Sequence, residues 1–171
     1  MSKTKWMPLI EITKILTEND VDAVDSISLL VEQPEKFTSQ YAEWIENMEY
    51  SPEDEADVIT AYWLTGYDTP HDFGAYIDWK EWPEEIIAQL EPSILKKGYA
   101  INLKDVPIIA DEATDVFLER LKNFLEQHNY TLAFWDVGGD CYHLYIIPKA
   151  AFPRLEILGK EIYVSFFNTY E

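Results

Sequence analysis

Asp136, Cys141 and His143 flank the pair Gly138-Gly139. A carboxylate, a thiol and an imidazole are the parts of a cysteine nucleophile with its base and its orienting acid. Gly-Gly supplies the positive φ that a two-residue hairpin turn needs. Such a turn would pair Val137 with Asp140, Asp136 with Cys141 and Phe134 with His143. Opposed residues share a face, as do alternate residues along a strand. Asp136, Cys141, His143 and Tyr145 are therefore expected on one side of a sheet. The same three residue types are also three of the four ligands of a zinc site. No fourth ligand is evident, His71 and His128 lie far off in sequence, and neither a metal nor a cofactor is expected. The competing reading is structural. Cysteine often simply fills space, and the unbroken apolar run Leu132–Trp135 reads as a strand buried on both faces, in which His143 packs or bonds locally.

A second constellation is Asp78-Trp79-Lys80-Glu81-Trp82-Pro83, where two tryptophans stand among charges at a strand-to-helix junction. Tryptophan carries interface energy, so Trp79 and Trp82 could form a binding platform. Large aromatics are more often core residues, and packing across the layer is the alternative. A third feature is acidic. Glu18, Asp20, Asp22 and Asp25 form one cluster, and Glu49, Glu53, Asp54, Glu55 and Asp57 form another. The first has neither the loop glycine nor the closing glutamate of a calcium loop. Both are read either as solvated helix starts or as an anionic face for a basic partner.

These groups must be held by regular elements, and the spacing of apolar residues predicts which. Leu9, Ile12, Ile15 and Leu16 give a helix over about 8–17. Asp20 caps a second helix through Val21, Val24, Ile27, Leu30 and Val31. Pro34 opens a third that carries Phe37, Tyr41, Trp44, Ile45 and Met48 on one face. Ser51-Pro52-Glu53-Asp54 has the chemistry of a helix start, with Gly66 near the stop of that helix. Residues 74–80 read as a strand. Pro83 starts a helix that Pro92 should break or kink, with a last turn ending at Gly98. A periodic helix spans about 111–128. Strands follow near 130–136 and 141–147, then a helix near 150–158 and a strand near 162–167. The fold class is α+β: a helical half, 1–66, packed on a small, mostly antiparallel sheet in the mixed half, 67–171, within one domain of 1–171.

Composition narrows the partners. The chain has 171 residues, 32 acidic against 13 basic, and a formal net charge of −19. Residues 1–60 alone hold 14 acids and 4 bases. With 47% hydrophobic and 15% aromatic residues the chain can fill a core, unlike a disordered acidic tail, so its acids belong on a compact surface. That surface repels nucleic acid and anionic lipid and attracts basic proteins. A lone cysteine, no apolar leader and no membrane-length stretch fit a cytoplasmic protein.

Asp78-Trp79-Lys80-Glu81, and the stretch Trp135-Asp136-Val137-Gly138-Gly139-Asp140-Cys141-Tyr142-His143-Leu144, resemble a group of bacterial proteins catalogued as a domain of unknown function. Its members share the acidic composition and a Gly-Asp-Ser-Tyr-His-Leu-like hairpin. Cys141 stands at the serine position, so the resemblance implies that the thiol is dispensable and that His143 and the aspartates are the better site candidates. It implies a bacterial, cytoplasmic setting and transfers no activity. Three functions are therefore expected to compete. One is a binding module, such as an immunity or inhibitor protein, that engages a basic partner through Glu49, Glu53, Asp54, Glu55 and Asp57 with Trp79 and Trp82. Another is a small enzyme or metal-binding protein using Asp136, Cys141 and His143. The last is a non-catalytic domain whose charge serves solubility alone.

Overall fold

The computed structural model describes residues 3–169. It is an α+β fold whose α-helices are α1 (Pro8–Thr17), α2 (Val21–Glu32), α3 (Pro34–Gln40), α4 (Ala42–Met48), α5 (Ala56–Leu64), α6 (Pro83–Lys97), α7 (Thr114–Gln127) and α8 (Phe152–Glu161). The strands β1 (Ala75–Asp78), β2 (Tyr130–Asp136), β3 (Cys141–Pro148) and β4 (Ser165–Phe167) form one antiparallel sheet in the order β1-β3-β2-β4. β2 and β3 are the central strands, and both are buried on both faces, as their unbroken apolar runs require.

Each sheet face carries its own core. Ala133, Trp135, Tyr145 and Ile147 pack with buried residues of α1, α2, α3, α5 and α8. Leu132, Phe134, Leu144 and Ile146 pack on the opposite side with Ile86, Leu90, Phe117 and Leu121 of α6 and α7. The sheet is therefore the middle of three layers, and each side chain of β2 and β3 is committed to one helical layer or the other.

Several sequence expectations are corrected. The hydrophobic face from Phe37 to Met48 belongs to two short helices. The backbone breaks at Tyr41, whose φ of −121° and ψ of 37° let its ring pack 4.6 Å from Trp63. Ser51 caps no helix. Its N–H donates to Glu55 Oε2 (2.8 Å) while Glu55 N–H donates to the Ser51 carbonyl (2.7 Å), and the Glu53 carbonyl accepts the Trp6 indole (2.7 Å). This turn absorbs residues 51–55, so α5 begins at Ala56. Pro92 does not interrupt α6, which runs unbroken to Gly98 in the left-handed region at φ 71°. The buried row Ile86, Ile87, Leu90, Ser93 and Ile94 holds the helix to the sheet across the missing bond. By contrast, Asp20 caps α2 as expected, accepting from Ala23 N–H at 2.9 Å.

Lys97, in the last turn of α6, is only 9% exposed, and its Nζ donates to the Ile146 carbonyl at 2.7 Å. Burial lowers its pKa to about 7, with Glu18 acting against the shift. The folded pKa lies below the unfolded one. The unfolded chain thus binds more protons between about pH 7 and 10.5, and stability rises with pH across that window. Lys97→Met is expected to stabilise the chain at neutral pH by about 1–3 kcal/mol and to remove this rise. Denaturant midpoints of the two chains at pH 7 and at alkaline pH measure both effects.

Candidate functional site

Observed pairing places Trp135 opposite His143 and Phe134 opposite Leu144. The hairpin register is therefore displaced by one residue from the two-residue turn expected above. Gly138 and Gly139 do adopt positive φ, both 89°. The displacement arises at Asp136, whose Oδ1 accepts the Gly138 N–H at 2.8 Å and draws the chain into an Asx turn ahead of the glycines. A one-residue shift moves a whole set of side chains to the other face. Cys141, His143 and Tyr145 lie on the side of α5, whereas Asp136 follows Phe134 and Leu132 to the side of α7. The expected grouping of Asp136 with Cys141 and His143 is thus corrected: the three do not converge.

His143 is fully buried beneath α5. The Thr65 hydroxyl donates to the Ala61 carbonyl (3.0 Å), which leaves its lone pairs to accept His143 Nδ1–H (3.1 Å). Nε2 is buried with no hydrogen-bond partner among the described residues. Tyr62 meets the imidazole edge-on at 4.6 Å, and Tyr76, its partner on β1, stands 5.1 Å away. Burial drives the His143 pKa down to about 3, a bond to the Ala61 backbone opposing the shift. The ring is neutral throughout the physiological range and is walled by aromatics. Cys141 is half-buried; burial first, then the neighbouring Cys141 and Tyr62 side chains, push the Tyr76 pKa above the usual tyrosine range.

The two tryptophans are corrected in the other direction from the core reading. Trp79 is 46% and Trp82 69% exposed. They line a groove of about 570 Å³ whose opposite wall is the start of α7, with Asp111, Glu112, Ala113, Thr114 and Asp115. Local bonds fix its shape. Lys80 N–H donates to Asp78 Oδ1 (2.9 Å), Trp82 N–H donates to Glu81 Oε1 (3.2 Å), and the Thr114 hydroxyl donates to the Glu81 carbonyl (3.0 Å), tying the β1–α6 turn to α7. The Lys80 ammonium lies 4.3 Å from the Trp79 ring centre. The Arg120 guanidinium pairs with Glu112 and holds that carboxyl below the usual range.

The acids of 49–57 do not act alike. Glu49, Glu53 and Asp54 are exposed. Glu55 is committed to Ser51. Asp57 is half-buried, and burial raises its pKa, with backbone bonds and Lys5 opposing. In the first cluster Glu18 accepts the Tyr99 hydroxyl (2.6 Å) and Asp20 caps α2, which leaves Asp22 and Asp25 exposed on that helix.

Sequence reasoning missed one grouping. Asp22, Asp25, Ser26, Tyr41, Trp63 and His71 come together in a groove of about 520 Å³. An adjoining groove, sharing Gln40 and Tyr41, adds Glu43, Trp44 and Asp68. No Lys or Arg lines either. The aspartate spacing on α2 was a visible signal, but the aromatic wall needs the unpredicted break at Tyr41 to meet Trp63 of α5, and His71 arrives on the 66–73 segment. Among the described residues no group of three His, Cys, Asp or Glu side chains could hold a metal ion, and no helix is long and apolar enough to cross a membrane.

No curated protein and no solved structure matches the chain. One family model does, over residues 8–168, a span that runs from the first residue of α1 to one past the last of β4 and includes the three grooves and the hairpin. The chain belongs to the family described as Domain of unknown function (DUF6630).

Proposed function

We propose that this chain is an acidic protein-binding module for a basic protein partner, an immunity or inhibitor protein being its concrete form. The observation that carries the reading is the exposure of Trp79 and Trp82 in a preformed groove bordered by Glu81, Asp111 and Asp115. Exposed tryptophan contributes nothing to solubility and is among the residue types that dominate interface energies, so a charge serving solubility alone leaves this groove unexplained. The surrounding potential fits a cationic partner. Against 32 acids there are 13 bases, and both arginines are already paired, Arg120 with Glu112 and Arg154 with Glu11. Glu49, Glu53 and Asp54 extend the anionic surface on the helical half. Such complementarity speeds encounter and selects the partner more than it sets final affinity. The lone cysteine and the family resemblance support a bacterial cytoplasmic setting for that encounter.

Capture from native lysate at low and at high salt, with bound proteins identified by mass spectrometry, tests the reading. The expected result is one basic protein, held at low salt and weakened at high salt, and released by Trp79→Ala with Trp82→Ala. A partner that is neutral or acidic, or whose retention ignores both salt and the tryptophans, contradicts it.

A further inference from the structure

We propose that the groove between α2, Tyr41 and the 66–73 segment is a receptor for one organic cation, the guanidinium head of an arginine side chain on the partner. The inference rests on the basic-partner reading above but concerns a separate surface. Asp22 and Asp25 lie three apart on α2 and so project to the same side of the helix. Both are exposed, and neither has a hydrogen bond or ion pair among the described residues. Together they present the paired carboxylates that a planar, five-donor guanidinium uses.

The rest of the groove suits the same ligand. Tyr41 and Trp63 pack at 4.6 Å and supply the aromatic wall. A cation beside such a ring is attracted by its quadrupole. The Trp63 indole N–H is already spent on Ser26 Oγ at 2.8 Å, so the wall does not compete for the carboxylates.

A second observation points independently to a ligand. His71 is 8% exposed, lines the groove, and its ring has no hydrogen-bond partner among the described residues. The ring packs against Trp63 at 5.2 Å and Phe73 at 6.1 Å. Its nitrogens are not among the described buried atoms left without a partner, so the ring, though mostly covered, still opens on the groove and can accept from a donor outside the chain. Burial first, then Lys96, lowers its pKa, with Asp20, Asp22 and Asp72 opposing, so the ring is a neutral acceptor. Lys96 does not fill the groove itself, because its Nζ donates to the Pro70 carbonyl at 2.7 Å. A metal ion is the wrong occupant: Asp22, Asp25 and His71 do not form a ligand cluster.

The test is an NMR titration of the full chain with N-acetyl-arginine amide, read at the Trp63 indole N–H and the His71 ring, with N-acetyl-citrulline amide as the uncharged control. The expected result is saturable shifts with arginine, none with citrulline, and binding weakened at least about tenfold in Asp22→Asn with Asp25→Asn. Should that double variant unfold, Asp25→Asn alone gives the same reading at smaller amplitude. Shifts that never saturate, that citrulline reproduces, or that survive loss of the carboxylates overturn the proposal. The two readings fail separately. A chain that binds a basic partner equally well with and without Asp22 and Asp25 keeps the functional reading and loses the arginine groove. A chain that saturates with arginine but binds no basic protein keeps the groove and loses the functional reading.

Discussion

Replacing Gly74 with alanine is expected to unfold the chain or to destabilise it by about 3 kcal/mol or more, a large part of the ~5–15 kcal/mol that holds a typical domain together. Gly74 is buried just ahead of β1, where the chain crosses the central strand β3. A methyl group there would sit 2.5 Å from the Leu144 carbonyl oxygen and 2.7 Å from Cδ1 of the Tyr145 ring. Neither neighbour can retreat. Leu144 is paired on both sides, to Ala75 and to Phe134, and Tyr145 is fully buried with its hydroxyl bonded to the Ala61 carbonyl at 3.2 Å. The relief available is to pull β1 off the sheet, which would also remove Tyr76 from His143 and unseat the turn that carries Trp79 and Trp82. Gly138→Ala is the control. Its added methyl meets nothing within 4 Å, so only backbone strain at φ 89° is felt, about 1 kcal/mol. Urea midpoints of the two variants test this ordering, and equal destabilisation would contradict the packing described for Gly74.

His143 is expected to make the fold acid-labile. Its folded pKa of about 3 lies below the unfolded value of 6.5. Within that window the unfolded chain binds the proton and the folded chain does not. Stability contributed by keeping the ring neutral is therefore intact above about pH 6.5 and is lost as the pH falls towards 3. By about pH 4.5 the loss reaches about 3 kcal/mol, at 1.36 kcal/mol for each pH unit below 6.5. His143→Gln keeps a donor for the Thr65 hydroxyl and removes the titration. Acidification also neutralises a surface at −19, which relieves self-repulsion and acts in the opposite sense. The difference between the two chains isolates the histidine. Acid unfolding followed by circular dichroism should show the variant unfolding at lower pH than the parent. Coincident acid limbs would mean that His143 gains a proton partner in the fold, contrary to its buried and unpartnered Nε2.

Much of the architecture was legible because local chemistry and tertiary packing agree in those places. Asp20 before an apolar period of helical spacing gave α2 and its cap, Gly98 gave the end of α6, and the unbroken apolar runs gave two strands buried on both faces. The failures came where a distant group decides the local conformation. Ser51-Pro52-Glu53-Asp54 has every property of a helix start, but the Glu53 carbonyl is taken by Trp6 from 47 residues away. Phe37–Met48 has a continuous apolar face, but Tyr41 leaves the helix to pack on Trp63. The hairpin error was the smallest in sequence and the largest in consequence. One residue of register, set by the Asp136 side chain, moved that carboxylate to the opposite side of the sheet from His143. Trp79 and Trp82 were recognised as a pair, but their exposure depends on the turn to α7 that Thr114 ties down. The arginine groove was beyond reach from the sequence, since His71 and Trp63 come to Asp22 only through the fold.

The proposed binding of a basic protein depends on a surface that is both anionic and aromatic. The most direct measurement is the dissociation constant of the captured partner as a function of salt, for the parent chain, for Trp79→Ala with Trp82→Ala, and for Glu53→Lys with Asp54→Lys. The expected result is affinity that falls steeply with salt in the parent, a shallower salt dependence in the charge-reversed chain, and weakening of about tenfold or more with an unchanged salt slope when the tryptophans are removed. Affinity that is flat in salt and the same for all three chains would contradict the claim.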